Sequence, residues 1–464
     1  MFLQTLFICV CPFLHAHVLS SVSDEFIPHL MNILLAIIHF QVYPMTNALY
    51  AAQNDLSDTG YLQIQTLSAE NQRPIEGARI SVSYTGEPDE VVDEVETDSS
   101  GQTENLSLQA PPLEYSEIPG SPKPYSEYTL SITAPGFEPL TITGTEILPT
   151  ATALQVARLR PLSEGPGGEN PVIIPPHTLY YPYPPKIAEA EIKPIRDTGS
   201  IVLSRVVVPE FIVVHDGVPS NSSAENYYVP FRDYIKNVAS SEIYATWPQS
   251  TITANILAIL SFTLNRVYTE WYRNQGYNFT ITSSTAYDHK WIYERNIYER
   301  ISVTVDEIFN NYLSRPDVKQ PILTQYCDGR NTQCPGWMTQ WGSKALGDQG
   351  YSPIEILRYY YGEDMYINTA EEIAGVPISW PGSPLDIGSS GNDVRTIQEQ
   401  LNAIASVYTA IPSLVPDGIY GERTQAAVRE FQSIFGLPQT GIVDFATWYR
   451  ISAIYVAVTE IAEL

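Results

Sequence analysis

The stretch from Asp417 to Trp448 constrains the fold most, because turn signals and helix signals alternate in it clearly. Two pairs, Asp417-Gly418 and Thr440-Gly441, are typical of turns, since glycine adopts backbone angles that tight turns require. Between them, apolar residues recur at three- and four-residue steps, which is the period of an amphipathic helix. With a similar apolar stripe upstream, the pattern predicts a C-terminal three-helix bundle over residues 383–464.

The same stretch resembles a known family. LDIGSSGNDVRTIQEQL, PDGIYGERTQAAVREFQ and GLPQTGIVDFATW are similar to the type 1 peptidoglycan-binding domain, from Leu385 to about Ile451. In that family the domain anchors its protein to the cell wall by holding murein in a shallow groove. The resemblance implies peptidoglycan as the partner, and it makes these signature positions candidates for substrate binding: Asp417, Gly418, Tyr420, Gly421 and Thr424. The alternative is that they serve only as turn and cap residues.

Charge narrows the choice of partners. A formal net charge of −27 argues against nucleic acid and against anionic membrane surfaces, because phosphate contacts need clustered Lys and Arg. Since the cell wall is also polyanionic, recognition must rest on hydrogen bonds and on sugars stacking against aromatic rings. The chain has 31 tyrosines, and we take Tyr360 and Trp341 as candidate sugar-binding residues. Packing in the core is the alternative for such side chains.

The N-terminal segment, residues 1–57, is atypical because the first basic residue in the chain is Arg73. A secretory signal has a positive region ahead of its apolar run, which is missing here. The segment has two apolar runs, Phe2–Phe13 and Met31–Val42, and each is shorter than a bilayer span. We therefore predict no stable membrane insertion. Two explanations stay open, a true start at Met45 or an unusual export segment. The location expected is the cell wall, the extracellular space or a spore envelope.

Residues 58–161 alternate apolar and polar side chains between turn signals, which predicts an antiparallel β-sandwich of about seven strands. The elements GYLQIQTLSAENQRPIEGARISVS, ETDSSGQTENLSL and YTLSITAPGFEPLTITG resemble the carboxypeptidase regulatory-like sandwich. The resemblance implies a spacer or interaction module, whose protein partner it does not identify. Residues 162–200 are rich in proline and predict a semi-rigid linker.

Residues 201–372 combine strand and helix signals and predict an α+β domain. VPFRDYIKNVASSEIYATWP and CDGRNTQCPGWMTQWGSKALGDQGYSPIEILRYYYG resemble the two ends of the SpoIID/LytB domain. Known enzymes of that family are lytic transglycosylases that cut peptidoglycan glycan strands, and their catalytic glutamate corresponds to Glu242. One carboxyl would act first as acid and then as base, while apolar neighbours keep it protonated.

The central domain also departs from that family. Leu260-Ser261-Phe262 stands where the family has Arg-Thr-Tyr, and Thr324 stands where it has a histidine. We therefore leave enzymatic activity open and expect a peptidoglycan-binding protein whose central domain docks to or acts on glycan strands. The alternatives are an active lytic transglycosylase and a structural protein of a spore or surface layer.

A zinc site is a further alternative. Cys327 and Cys334, with His289, would supply three ligands, which is enough for an open site. A disulfide between the two cysteines fits an exported protein at least as well, and we expect no cofactor. Asp288 and His289 are interpreted as part of an exposed, ion-paired face.

Overall fold

The computed structural model describes residues 57–162, 171–193, 202–375 and 378–459. The predicted start at Met45 and nearly all of the N-terminal segment therefore lie outside the described residues. The described residues form one compact unit. Among the described helices, none combines the length and the apolarity that a bilayer crossing requires.

The N-terminal part is built from strands with the predicted period of two. Seven strands and one short helix lie between Asp58 and Leu159: β1 Asp58–Ser68, β2 Arg79–Tyr84, β3 Val91–Glu96, β4 Leu106–Ala110, α1 Glu114–Glu117, β5 Ser126–Thr133, β6 Leu140–Ile147 and β7 Thr152–Leu159. Along β7, every second residue is buried, because alternate side chains of a strand point to opposite faces of the sheet.

These strands lie in two sheets, and the pairing is not purely antiparallel as predicted. One sheet has the order β3-β2-β5-β6-β8, where β8 is Val172–Ile173, and the other has the order β13-β7-β1-β4, where β13 is Ile297–Tyr298. β1 pairs with β7 in parallel, and β6 pairs with β8 in parallel. The prediction fails at these pairs because β7 leaves the sheet that contains β6 and enters the other one beside β1.

The central part is α+β, as predicted. Its helices are α2 Phe231–Glu242, α3 Gln249–Tyr268, α4 Glu299–Ile308, α5 Gln340–Asp348 and α6 Pro353–Tyr361, with a 3₁₀ turn at Arg273–Gln275. Its further strands are β9 Val207–Val208, β10 Phe211–His215, β11 Asn226–Pro230, β12 Ile281–Thr282, β14 Asn311–Ser314, β15 Tyr326–Cys327, β16 Met338–Thr339, β17 Tyr366–Thr369 and β18 Glu372–Ile373. Helix α3 is buried on nearly all faces, which explains why it is apolar almost all round.

The sandwich and the central part share a polar junction. β13 adds to the sandwich sheet beside β7, and the neighbouring Arg295 pairs with Glu146 through Nη2 and Oε2 at 2.7 Å. Both side chains are buried. Burial raises the pKa of Glu146 to about 7, although the Arg295 guanidinium acts in the opposite direction. Folding therefore favours the protonated form of this carboxyl.

The C-terminal part contains the three predicted helices: α7 Asn392–Ala405, α8 Glu422–Ile434 and α9 Phe445–Thr459. Their apolar stripes meet in a core that includes Val394, Ile397, Leu401, Phe431, Trp448 and Ile451. This part also rests on the rest of the molecule, since Arg232 Nη2 donates to Tyr449 O at 3.0 Å and Gln102 Nε2 donates to Ile434 O at 2.5 Å.

Candidate functional site

The turn before α8 is organised by Gln398, a buried residue of α7 that sequence reasoning missed. Its Nε2 lies 3.0 Å from Asp417 Oδ1, 3.0 Å from Ile419 O and 3.2 Å from the hydroxyl of Thr424. Its Oε1 accepts from Gly418 N at 2.9 Å. One amide therefore brings three of the predicted substrate-binding residues together.

The second turn repeats this arrangement around Gln432 of α8, which is also buried. Gln432 Nε2 lies 2.9 Å from Ile442 O and 3.1 Å from Thr447 Oγ1, and Gln432 Oε1 accepts from Gly441 N at 2.8 Å. The sequence carries the signal, because Gly-Ile followed by four residues and Thr occurs at both turns. The domain is thus built from two copies of one helix-and-turn unit.

The remaining signature residues have structural partners. Tyr420 is buried, and its hydroxyl donates to Gly441 O at 2.9 Å, which joins the two turns. Gly421 stands directly before α8. Asp417 is exposed, and the Ile419 N–H together with the Gln398 amide holds the pKa of its carboxyl below its usual range. Direct contact of these residues with a substrate stays a prediction.

A shallow open groove of about 450 Å³ runs along the solvent face of α8. Its lining residues share the polar side of the helix or lie beside it; they are Ile387, Glu422, Gln425, Ala426, Arg429, Glu430, Ser433 and Gln439. The second turn packs closely against two of these side chains, because a Cβ at Gly441 would lie 2.6 Å from Gln425 Cγ and 2.9 Å from Arg429 Cγ. We call this feature the α8 groove. Its signal in the sequence is the polar stripe opposite the apolar stripe of α8.

The residues that line the α8 groove can form hydrogen bonds, and because they carry charges of both signs they create no strong net electrostatic field. Gln425 and Gln439 offer amides that donate and accept, which suits sugar hydroxyls and peptide groups. Arg429 offers a planar cation for carboxylates, and the carboxylates of Glu422 and Glu430 lie in the same lining. Such a mixed lining matches the expectation that recognition here does not depend on bulk charge.

Residues 390–451 match the family model described as a putative peptidoglycan binding domain. This match confirms the resemblance predicted for the C-terminal part of the chain. It supports peptidoglycan as the partner of this part and association with the cell wall. No curated protein matches the chain.

Several solved structures share limited similarity with the chain. The Bacillus anthracis TIE protein is 17% identical with a TM-score of 0.16, over 23% of this chain and 17% of its own. GBS52, the minor pilin of Streptococcus agalactiae, is 15% identical with a TM-score of 0.17, over 24% and 49%. Klebsiella pneumoniae 5-hydroxyisourate hydrolase is 17% identical with a TM-score of 0.15, over 24% and 94%. Similarities of this size support no inference about function.

Glu242 is the last residue of α2 and is 3% exposed. Its Oε1 accepts from Lys290 N at 2.7 Å, and its Oε2 accepts from the hydroxyl of Tyr326. Gln340 Nε2 donates to Glu242 O at 2.9 Å and fixes the end of the helix. Both carboxyl oxygens are therefore engaged inside the protein.

Two effects shift the pKa of Glu242 in opposite directions. Burial raises the pKa of Glu242, while the Lys186 ammonium acts to lower it. His289 stacks on the Tyr326 ring with centroids 5.9 Å apart, and burial lowers the pKa of His289 well below its usual range. A neutral imidazole thus lies next to the phenol that holds Glu242.

The other two predicted sugar-binding residues lie near Glu242 rather than near the α8 groove. Trp341 follows Gln340 and packs against Trp247 and Tyr244, at centroid distances of 5.0 and 6.2 Å. Its Nε1 has no hydrogen-bond partner within the described part of the chain. Tyr360 is half-buried, with its hydroxyl 3.3 Å from Thr339 Oγ1. Their contact with sugar also stays a prediction.

Two sequence interpretations need correction. Cys327 and Cys334 form a disulfide, so their thiolates are not available as zinc ligands. Within the described ranges, no group of three or more His, Cys, Asp or Glu side chains could hold a metal ion. Asp288 and His289 do not lie on an exposed face but are fully buried. Asp288 pairs with the buried Arg266 at 2.7 Å, which offsets the cost of burying both charges.

Proposed function

We propose that this protein binds peptidoglycan through its C-terminal helical part and acts at the bacterial cell wall. The observation that carries the proposal is the family match over residues 390–451, which coincides with the three helices and their two glutamine-centred turns. The α8 groove supports it, since it presents amides and one guanidinium on an exposed, supported helix face.

Within this proposal, Gln425 and Arg429 make the main contacts. Both line the α8 groove, and both lie close to the second turn at Gly441, which restricts the space open to them. A side chain that is already positioned loses less conformational freedom when it binds, so it contributes more to affinity. Arg429 would pair with a carboxylate of the stem peptide, and Gln425 would bond to an amide or a sugar hydroxyl.

Co-sedimentation of the full chain with purified murein tests this function. We expect the double variant Gln425→Ala/Arg429→Ala to weaken binding by about ten-fold or more, as expected when two central contacts are lost. The matched control is Arg273→Ala/Gln275→Ala, which removes the same two residue types from an exposed turn of the central part. Equal binding by the wild-type chain, the double variant and the control would contradict the proposed role of the groove.

A second candidate function is supported by the geometry of Glu242. We propose that the central part is a SpoIID/LytB-like domain that acts on glycan strands. Burial raises the pKa of the Glu242 carboxyl, and in its protonated form the proton would pass to the glycosidic oxygen as the bond from the anomeric carbon to that oxygen breaks. The resulting carboxylate would take a proton from a hydroxyl of the same sugar, whose oxygen bonds to the anomeric carbon and closes an anhydro ring.

Digestion of murein by the full chain tests this second function, with products read by mass spectrometry. Both intact murein and glycan strands freed of peptides are substrates, and Glu242→Gln is the control variant. Anhydro products that disappear in Glu242→Gln would establish cleavage. Pelleting with murein and no anhydro product from either substrate would leave a binding protein without lytic activity.

A further inference from the structure

The proline-rich segment predicted as a spacer lies, in its described part, against the central domain. We call residues 178–193 the strap. Its backbone bonds to three successive parts of that domain: Thr178 N donates to Ser241 O at 3.3 Å, Ile187 N donates to Ala286 O at 2.7 Å, and Glu191 O accepts from Leu323 N at 3.0 Å. A polyproline-like chain has no internal hydrogen bonds, so it needs such external partners.

The three parts that the strap touches also hold Glu242. Ser241 precedes Glu242 in α2, and the loop that contains Ala286 continues to Lys290, whose N–H donates to Oε1. The segment after Leu323 carries Tyr326, whose hydroxyl donates to Oε2. The strap therefore contacts both segments that donate a hydrogen bond to the carboxyl of Glu242.

The middle of the strap places a cation beside the carboxyl. Lys186 Nζ donates to Asp288 O and lies 4.8 Å from the centroid of the Tyr326 ring. Lys290 of the central domain forms a cation–π contact with Tyr183 of the strap, its Nζ lying 5.0 Å from the ring centroid. With these contacts in place, Glu242 is 3% exposed, so a glycan strand cannot reach it.

Two ion pairs anchor the C-terminal half of the strap. Glu189 Oε1 lies 2.6 Å from Nη2 of the buried Arg266, and Glu191 Oε1 lies 2.7 Å from Nε of Arg315. Arg266 keeps a second carboxylate partner, Asp288, when Glu189 is changed. The anchors can therefore be weakened without leaving that buried guanidinium unpaired.

We propose that the strap is a built-in cover of Glu242, which must move aside before a glycan strand enters the central domain. The cover rests on the second candidate function for its purpose, because it regulates access to the same carboxyl. A closed strap would keep the wall-bound protein inactive until a strand or a partner displaces residues 178–193. The cover itself can be measured without any glycan.

The test is carbodiimide-dependent labelling of carboxyl groups in the full chain, quantified peptide by peptide, with the exposed Glu422 as internal reference. The variant Glu189→Gln/Glu191→Gln weakens both anchors, and Ile187→Pro removes one backbone donor from the strap. The matched control is Glu270→Gln/Glu372→Gln, which removes carboxylates from the exposed arginines Arg273 and Arg205.

We expect labelling of Glu242 to rise about ten-fold or more in both strap variants and to stay unchanged in the control, because only the strap variants lose bonds that hold the strap against the central domain. Unchanged labelling of Glu242 in both strap variants would overturn the proposal, as would wild-type labelling as fast as that of Glu422. If labelling rises but peptide-free glycan strands yield no anhydro product, the cover stands and the lytic function fails. Faster release of anhydro product by the strap variants would support both.

Discussion

Replacing Gln398 with methionine should loosen the turn before α8, because methionine keeps the chain length but removes the amide. That amide has four partners, namely Asp417 Oδ1, Ile419 O, Thr424 Oγ1 and Gly418 N. Because the Nε2 group carries two protons for three acceptors, at most three of these bonds form at once, and at a net contribution of about 1 kcal/mol each the loss is roughly 3 kcal/mol. The first turn and the start of α8 should open locally by that amount.

Gln400 offers a matched control on the same helix. It is 4% exposed and Gln398 is 1% exposed, but the amide oxygen of Gln400 has no hydrogen-bond partner in the part of the chain that the structure describes. Replacing Gln400 with methionine therefore removes an unsatisfied polar atom. We expect it to change stability by less than about 1 kcal/mol in either direction.

Peptide-resolved amide hydrogen exchange measures this difference in the intact chain. A loss of roughly 3 kcal/mol corresponds to exchange about a hundred-fold faster over residues 417–424 in Gln398→Met, provided that local opening is at equilibrium. The exchange of the same residues should be nearly unchanged in Gln400→Met. Equal exchange in the two variants would refute the argument that the amide of Gln398 builds the turn.

Three further predictions concern two buried carboxyls and the disulfide. Burial raises the pKa of Glu146 from 4.5 to about 7, so the contribution of this carboxyl to the free energy of unfolding is greatest below about pH 4.5 and is lost as pH rises to about 7. Glu146→Gln should remove roughly 2 kcal/mol of this pH dependence in urea titrations, and an unchanged pH dependence would contradict it. Lys186→Ala should raise the pKa of Glu242, because the opposing ammonium is lost; the midpoint of Glu242 labelling against pH should move upward, and a fixed midpoint would count against it. Serine at Cys327 and Cys334 should destabilise the loop between them by roughly 2 kcal/mol, seen as faster amide exchange there; unaltered exchange would rule out a stabilising disulfide.

Local patterns predicted the elements well. The period-two stretches became strands between Asp58 and Leu159, and the helical stripes became α7, α8 and α9. Such patterns depend on neighbouring residues, so they can be read from one sequence. The parallel pairing of β1 with β7 and the addition of β13 to the sandwich could not be read, because they join residues that are far apart in the chain.

The candidate sites were predicted only in part, for the same reason. Sequence motifs indicated Glu242 and the turn at Asp417 as candidate sites, and the structure shows the partners that surround each of them. The residues that act on them, Lys186 and His289 at the first and Gln398 at the second, come from distant segments. Nothing local marks such partners, although the repeated Gly-Ile turn could have revealed the role of glutamine.

The most direct test of peptidoglycan binding is a hydrogen-exchange footprint of the full chain with soluble fragments of purified murein. We predict slower exchange in peptides that cover the α8 groove, from Glu422 to Ser433 and around Gln439, with little change in the sandwich strands β2 to β6. Binding of murein with protection confined to another part of the chain would contradict the role assigned to the groove. The absence of both binding and protection would contradict the function itself.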